Sequence, residues 1–347
     1  MSTQVLDTSK LTPYLEAQIP GFKGPISTEK FAGGQSNPTF KLTTADGANY
    51  VLRRKPPGDL LASAHAVDRE YRVLKALQDT DVPVAKVYCL CEDENIIGSM
   101  FYVMEYLEGR VFWDPRLPEI DSKEERAAIY DDMNRVLAAM HTVDIDAVGL
   151  SDYGRPGNYF ERQLSRWTKQ YRASETEHSK AMETLISWLN DNMPEDDGAV
   201  SLVHGDYRLD NVMFHPTEPR IIGVLDWELS TLGHPMADLS YQVMAWQLPA
   251  GGKLSGLMGV DRESLGIPSD EEFIQRYCER TGRERIDHWY FYLVFGFFRI
   301  AAILQGVKKR ALIGTASSAE AEAKGAMVEA LAELGVSFIQ KAENAKK

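Results

Sequence analysis

The first third of the chain alternates apolar and polar residues, which is the pattern of strands that bury one face. Residues 26–53 predict a strand, a glycine-containing loop, a second strand, a hairpin and a third strand, with Asp46-Gly47 as the hairpin turn. An Asp-Gly pair between two alternating segments is a strong hairpin signal. Two further strands are predicted within residues 84–93 and 98–112. Together these segments indicate an antiparallel sheet.

Longer segments repeat apolar residues every three or four positions, which is the helical period. In one of them Val67, Tyr71 and Leu74 share a face, and beyond Gly109 most of the chain has this character. The predicted helices cover residues 8–18, 60–78, 122–141, 159–172, 180–192, 270–281, 288–309 and 318–341.

The order of these elements predicts an α+β fold in two parts. Residues 1–107 are expected to form a small β-rich domain with one main helix, which would bind a nucleotide. Residues 108–347 are expected to form a larger, mainly helical domain for catalysis and acceptor binding. A chain of 347 residues is long enough for two such cores.

Charge argues against two classes of partner. The chain has 38 Lys and Arg against 51 Asp and Glu, a formal net charge of -13. Nucleic acid and anionic membranes are bound through concentrated Lys and Arg, so neither is an expected partner. The apolar run 289–304 contains Arg299 and is shorter than the roughly 20 apolar residues that a membrane span needs, which favours a buried helix.

Cysteine usage and the first residues bear on location. Cys89, Cys91 and Cys278 provide neither an even disulfide framework nor a four-ligand zinc pattern. The opening sequence MSTQVLDTSK contains no apolar signal core. We therefore expect a cytoplasmic location, while the oligomeric state is left open.

The stretch 201–228, SLVHGDYRLDNVMFHPTEPRIIGVLDWE, carries the candidate chemistry. Short apolar runs are followed by His-Gly-Asp, which ends at Asp206, and by Asp226, and Asn211 lies five positions after Asp206. An Asp or Asn at a strand end is by itself most often a turn residue. Two strand ends carrying such groups in this order instead predict that the three side chains converge at one edge of a small sheet.

Two carboxylates and an amide oxygen are hard ligands that suit Mg²⁺, which is usually completed by water and substrate phosphates. Phosphoryl transfer by kinases needs one Asp near the attacking hydroxyl, with an Asn and a second Asp on the metal ions. The spacing Asp-x-x-x-x-Asn is that of a kinase catalytic loop. This chemistry predicts an ATP- and Mg²⁺-dependent phosphotransferase with an alcohol group as acceptor.

The motif His-Gly-Asp-x-x-x-x-Asn at 204–211, with the later Leu-Asp-Trp-Glu, resembles the aminoglycoside phosphotransferase and choline kinase family. That family is the small-molecule branch of the protein-kinase-like, two-lobe fold. The resemblance implies that Asp206 is the catalytic Asp, and that Asn211 and Asp226 bind Mg²⁺.

The resemblance also implies a phosphate-binding pair in the β-rich part. Matching the strand at residues 50–53 to the kinase pattern puts Arg53 where kinases keep a Lys, whereas a shifted register would put Lys55 or Arg54 there. Glu70, on the following helix, would be the ion-pair partner of this cation. The alternatives are a solvated basic strand end and an exposed helical Glu.

Two further nucleotide contacts are expected. Gly33-Gly34 near a hairpin tip would offer backbone N–H groups to the phosphates, although a plain turn explains the same residues without the full glycine-rich kinase motif. Residues 104–107 would link the two lobes, with backbone groups at Glu105 and Leu107 available to an adenine ring.

The acceptor is a small hydroxylated molecule whose class stays open. Basic residues on predicted helices suit an anionic acceptor or form a solvated face: Arg162, Arg166, Lys169, Arg172, Arg299, Lys308, Lys309 and Arg310. The segments VLRRKPPG and KKRALIGTASS resemble kinase domains related to those fused to acyl-CoA dehydrogenases, which implies a hydroxyacyl-CoA acceptor. An aminoglycoside or choline-type kinase, a catalytically silent pseudokinase and a metal-dependent phosphohydrolase are the alternatives.

Overall fold

The computed structural model describes residues 6–31, 37–56, 66–251, 254–314, 323 and 325–345. The strands in these ranges are β1 (Ile26–Lys30), β2 (Thr39–Thr44), β3 (Asn49–Arg54), β4 (Val87–Cys91), β5 (Phe101–Glu105), β6 (Ser201–Val203), β7 (Val212–Phe214), β8 (Ile221–Val224) and β9 (Thr231–Gly233). The α-helices are α1 (Thr8–Gln18), α2 (Val67–Leu77), α3 (Lys123–His141), α4 (Tyr159–Ser174), α5 (Lys180–Asp191), α6 (Met236–Trp246), α7 (Arg262–Leu265), α8 (Asp270–Thr281), α9 (Trp289–Leu312) and α10 (Val328–Ala345).

The chain divides into two compact units. The first, here called the sheet unit, comprises Met1–Val111, Asp146–Leu150 and Asn211–Ser230. The second, here called the helical unit, comprises Phe112–Ile145, Ser151–Asp210 and Thr231–Lys347.

The sheet unit contains a five-stranded sheet in the order β1-β2-β3-β5-β4, with every neighbouring pair antiparallel. Successive side chains of a strand point to opposite faces. Leu52 of β3 and Val103 of β5 pack with Leu11 of α1 in one buried cluster. The neighbouring positions, Arg53 and Tyr102, are cross-strand partners, and helix α2 contacts β4 and β5.

The helical unit is built around α9, which contacts α4, α5, α6 and α10. A two-stranded antiparallel sheet of β6 and β9 belongs to the same unit. Strand β6 ends at Val203, so the His-Gly-Asp sequence follows it directly. The fold therefore presents Asp206 on a loop at the end of a buried strand.

Helix α9 is, within the part of the chain that the structure describes, the one helix long and apolar enough to cross a membrane by length and composition. In its most apolar window, 78% of the residues are buried inside the protein. Apolar side chains such as Phe297 and Phe298 have no exposed surface. Burial of this extent agrees with the prediction of a core helix.

The predicted α+β class is confirmed, with a small antiparallel sheet unit and a larger, mainly helical unit. The domain boundary between residues 107 and 108 stays a prediction. The sheet unit extends to Val111 and also includes two later segments, one of which carries Asn211 and Asp226.

Candidate active site

Arg53 lies at the centre of a charged cluster in the sheet unit. Its Nε is 2.8 Å from Glu70 Oε2, and its second terminal nitrogen donates a 2.7 Å hydrogen bond to Asp226 Oδ1. The same nitrogen is 3.9 Å from Glu228 Oε2. Burial alone would lower the pKa of Arg53, but the charges of Glu70 and Asp226 raise it above its usual value. The predicted pairing of strand cation and helix glutamate is present.

Glu70 is held by neutral donors as well as by the cation. The Asn37 amide donates to Oε1 at 2.7 Å, and the Tyr102 hydroxyl donates to Oε2 at 3.1 Å. Only 2% of the Glu70 side chain is exposed, and this burial raises its pKa to about 7 against the opposing charge of Arg53. The alternative of an exposed helical Glu is therefore wrong.

Asp226 follows β8 directly and has an unusual backbone. Its φ of 61° and ψ of 59° lie in the left-handed region, which non-glycine residues seldom adopt. The side chain is 39% exposed although one of its oxygens binds Arg53. Backbone strain of this kind often occurs at functional positions, where it fixes the direction of a side chain.

Asn211 is brought close to Asp226 by the hairpin of β7 and β8. Val212 pairs with Val224, and the Leu225 N–H donates to the Asn211 carbonyl at 2.8 Å. The residues that flank this hairpin thus supply one amide and one carboxylate oxygen, which are ligands that suit Mg²⁺. This donor set fits the predicted metal, which would supply charge neutralisation for bound phosphates.

The alternative cations on β3 have other surroundings. Arg54 is buried, its guanidinium donates to the Ile97 carbonyl at 3.1 Å, and burial lowers its pKa. Lys55 follows the strand, and its backbone N–H donates to the Met100 carbonyl. Of these three residues, Arg53 is the one that contacts Glu70 and Asp226, which supports the predicted register.

The other predicted nucleotide contacts are less informative. Glu105 ends β5, and its carboxylate accepts a hydrogen bond from the Lys86 backbone N–H at 3.2 Å. Leu107 packs over Gly223 of β8, where an added Cβ would lie 2.5 Å from the Leu107 methyl group. Gly33 and Gly34 lie outside the described residues. The proposed adenine and phosphate contacts of these four residues stay predictions.

In the helical unit, the loop that carries Asp206 is fixed by a buried carboxylate of α6. Asp238 Oδ2 accepts from the His204 N–H at 2.7 Å, and Oδ1 accepts from the Gly205 N–H at 2.8 Å. His141 Nε2 is 3.3 Å from the same carboxylate, and its Nδ1 is 2.8 Å from the Tyr277 hydroxyl. Burial alone would raise the pKa of Asp238, but hydrogen bonding to His141 holds it below its usual value.

The side chain of Asp206 has two polar neighbours that the sequence did not reveal. Arg208 Nε is 3.4 Å from Asp206 Oδ1, and its terminal nitrogen donates to Asp210 at 2.7 Å. The Tyr241 hydroxyl hydrogen-bonds Asp206, and burial raises its pKa far above the usual value, with the Asp206 charge adding to the effect. A phenol hydroxyl and a guanidinium thus both lie beside the Asp206 carboxylate.

Arg299 of α9 fixes the other side of this loop. Its guanidinium donates to the Gly205 carbonyl at 2.6 Å, next to the Asp206 peptide. It also lies 5.2 Å from the centre of the Tyr241 ring and 5.9 Å from that of Trp167. An arginine within an apolar run is therefore a structural partner of the candidate catalytic loop.

The structure brings together Arg53, Glu70, Asn211 and Asp226 in the sheet unit. Asp206 belongs to the helical unit. Its convergence with Asn211 and Asp226 stays a prediction.

Comparison with known proteins identifies the class. The model of the phosphotransferase enzyme family APH matches residues 27–289, so the chain belongs to this family. It is 48% identical over 341 residues to mouse (Mus musculus) acyl-CoA dehydrogenase family member 10, covering 98% of this chain and 32% of the relative. Further curated relatives, also acyl-CoA dehydrogenases, are covered over 43% of their length, so the chain spans less than half of these proteins.

Solved structures agree with this assignment. A crystal structure from Ralstonia eutropha, provisionally described as an aminoglycoside phosphotransferase, shares 54% identity at a TM-score of 0.90, covering 97% of this chain and 99% of that one. A complex of aminoglycoside phosphotransferase APH(4)-Ia with AMP-PNP and hygromycin B has a TM-score of 0.60 at 14% identity, covering 95% and 98% of the two chains. The second likeness shows the fold alone, which is kinase-like. The protein is a phosphotransferase enzyme, and the family resemblance predicted from the His-Gly-Asp motif is confirmed.

Proposed function

We propose that the protein is an ATP- and Mg²⁺-dependent kinase that transfers the γ-phosphoryl group to the hydroxyl of a hydroxyacyl-CoA. The observation that carries the kinase part is the Arg53 cluster, in which one cation contacts a helix glutamate and a strand-end aspartate at 2.8 and 2.7 Å. A kinase needs this combination to hold the α- and β-phosphates beside the metal ligands.

Asp206 would orient and deprotonate the acceptor. Its carboxylate lies beside Arg208 and Tyr241, and a carboxylate is a group that can accept the hydroxyl proton. In the proposed reaction the acceptor oxygen forms a bond to the γ-phosphorus while the bond to the bridging oxygen of ATP breaks. The hydroxyl proton passes to Asp206, and ADP leaves.

Arg53, Asn211 and Asp226 would bind the nucleotide and Mg²⁺. The guanidinium of Arg53 is planar and always charged, so it can bind two phosphate oxygens at once, which a lysine cannot do. Its contact with Asp226 is compatible with a metal ligand, because a carboxylate has a second oxygen and this side chain is 39% exposed. The metal, once bound, would neutralise developing charge on the phosphates.

The acceptor assignment is supported by the relatives and by charge. Relatives that are 48% and 44% identical carry the name acyl-CoA dehydrogenase and are more than twice as long as this chain, so a segment similar to this chain occurs in proteins named for acyl-CoA chemistry. A strongly cationic acceptor such as an aminoglycoside suits an acidic pocket. The helical unit instead offers Arg208 and Arg299 around the Asp206 loop.

The test is a transfer assay with ATP, Mg²⁺ and three acceptors: a hydroxyacyl-CoA, an aminoglycoside and choline. Mass spectrometry is expected to show a phosphorylated hydroxyacyl-CoA. Asp206→Asn should lower turnover by at least about 100-fold while ATP binding persists, because general-base catalysis typically contributes that much. Asp226→Ala should abolish Mg²⁺-dependent ATP binding.

Normal turnover in either variant would contradict the assigned roles. ATP binding without Asp206-dependent transfer to any acceptor would indicate a pseudokinase. Phosphate release that needs no acceptor would indicate a phosphohydrolase.

A further inference from the structure

An open cavity of about 690 Å³ lies along α4 and the loop before it in the helical unit, and we refer to it as the α4 cavity. Arg162, Arg166 and Lys169 line it from one side of the helix, and Arg155 lines it from the preceding loop. These helical positions follow the spacing of three and four residues that places side chains on one face. The opposite face of α4 is buried through Phe160 and other apolar residues.

The α4 cavity is strongly basic in a strongly acidic protein. Four of its lining residues are cations and one, Glu161, is a carboxylate, whereas the whole chain has a net charge of -13. Within the described ranges, Arg155, Arg166 and Lys169 form no ion pair. Three such cations gathered beside Arg162 repel one another, and a bound anion would relieve that repulsion.

Two cations outside the cavity, one near the end of α4 and one on α9, form ion pairs instead. Arg172, near the end of α4, donates to Glu183 at 2.6 Å, and Lys308 of α9 pairs with Glu177. Arg162 donates to the backbone carbonyls of Arg155 and Pro156, which fixes the loop at the cavity edge. The cavity cations thus differ from Arg172 and Lys308, whose charges are paired with carboxylates.

The same helix leads to the candidate catalytic loop. Trp167, which lies between two cavity residues in sequence, is 5.9 Å from the Arg299 guanidinium. Arg299 donates to the carbonyl of Gly205, the residue before Asp206. A ligand bound in the α4 cavity would thus lie in the same unit as Asp206. Helix α4 also contacts Arg299, the residue that binds the Asp206 loop.

From this arrangement we propose that the α4 cavity binds the phosphate groups of the acceptor. The identity of that acceptor, a hydroxyacyl-CoA, rests on the proposed function. Coenzyme A carries a diphosphate and a separate 3′-phosphate. Arginine and lysine side chains are the usual phosphate partners. The cavity volume lies in the range of small-ligand sites, about 300–1,000 Å³, which favours a compact phosphorylated ligand over an extended polyanion.

Coenzyme A itself is the probe, because its binding can be titrated without any transfer reaction. Lys169→Glu and Arg166→Glu should each weaken coenzyme A binding at least about tenfold, since each replaces an attractive charge by a repulsive one near phosphate. The matched control is Lys180→Glu, which makes the same change of charge at an exposed lysine at the start of α5. Thermal unfolding and circular dichroism establish that each variant is folded.

Several outcomes would overturn the inference. These are the absence of coenzyme A binding by the wild-type protein, an unchanged affinity in Lys169→Glu and Arg166→Glu, or an equal loss in Lys180→Glu. Pyrophosphate bound as tightly as coenzyme A would indicate a general anion site, and tighter binding of a single-stranded oligonucleotide would indicate a nucleic-acid surface.

Failure of the proposed function gives a different result. Absence of phosphoryl transfer to a hydroxyacyl-CoA would contradict that function and leave the coenzyme A titration intact. Transfer accompanied by a coenzyme A affinity that Lys169→Glu does not change would contradict the α4 site alone.

Discussion

The two units position their candidate functional residues in different ways. In the sheet unit, Arg53, Glu70 and Asp226 hold one another through charged side chains at 2.7–2.8 Å. In the helical unit, Asp206 lies on a loop whose backbone is bound by Asp238 on one side and Arg299 on the other. In the sheet unit, the position of the candidate residues thus depends on pairing of opposite charges. In the helical unit, the position of Asp206 depends on the backbone conformation of its loop.

The largest effect is expected from Asp238→Ala, which removes the acceptor of two loop N–H groups and the partner of His141. The side chain is fully buried, so the loss should destabilise the protein by about 3 kcal/mol and displace the Asp206 loop. Urea unfolding and turnover are the measurements.

The control for that change is Asp131→Asn, at a half-exposed carboxylate that pairs with Arg280 and Arg276. It should cost less than about 1 kcal/mol, as exposed ion pairs usually do. Equal effects of Asp238→Ala and Asp131→Asn would mean that the loop does not depend on the buried carboxylate.

A smaller effect is expected from Arg53→Ala, which leaves Glu70 buried without its cation and removes the candidate phosphate ligand. The KM for ATP should rise at least about tenfold, because a charged phosphate contact is worth about 1.5–3 kcal/mol. Lys55→Ala is the control and should change the KM for ATP less. The reverse ranking would shift the phosphate-binding role by two residues along β3.

The last expected effect is a pH dependence located in the sheet unit, which is confined to the range between the two pKa values of Glu70. The pKa of Glu70 is about 7 in the folded protein and about 4.5 in the unfolded chain, so between these values the folded state retains a proton that the unfolded state releases. The stability that Glu70 contributes is present below its unfolded pKa and is lost as the pH rises through about 7.

Comparing the wild type with Glu70→Gln isolates the contribution of Glu70 to the pH dependence of stability, since glutamine does not titrate. The free energy of unfolding of the wild type, relative to the variant, should fall by up to about 3 kcal/mol between about pH 4 and about pH 8. Urea unfolding across that range is the measurement. A difference that stays constant with pH would show that Glu70 is charged in both states.

The positions of several secondary-structure elements were predicted from the sequence more accurately than the side-chain contacts. Helices α1 and α8 occupy the residues predicted for them, and α9 begins one residue later than expected. Arg53 and Glu70 were found because a strand cation followed by a helix glutamate is a pattern of known chemistry. Asn37 and Tyr102 were missed, because a single polar residue in a loop or strand carries no local signal of the carboxylate it contacts.

Arg299 shows why the supporting contacts escaped prediction. Its partner, the Gly205 carbonyl, lies 94 positions away in sequence, and only the packing of α9 within its unit brings them together. Hydrophobic periodicity identifies a buried helix, but it does not indicate which residue a single arginine on that helix contacts. Asp238 of α6 likewise binds N–H groups that lie 34 and 33 positions earlier in the sequence, those of His204 and Gly205.

The left-handed backbone of Asp226 has an evolutionary consequence. Glycine adopts this conformation without cost, and one nucleotide change converts an aspartate codon to a glycine codon. Such a substitution would relieve local strain while it removes the carboxylate. Under the proposed metal-binding role, such a substitution would abolish activity without straining the backbone of this turn, so purifying selection at this codon would act through activity more than through backbone strain.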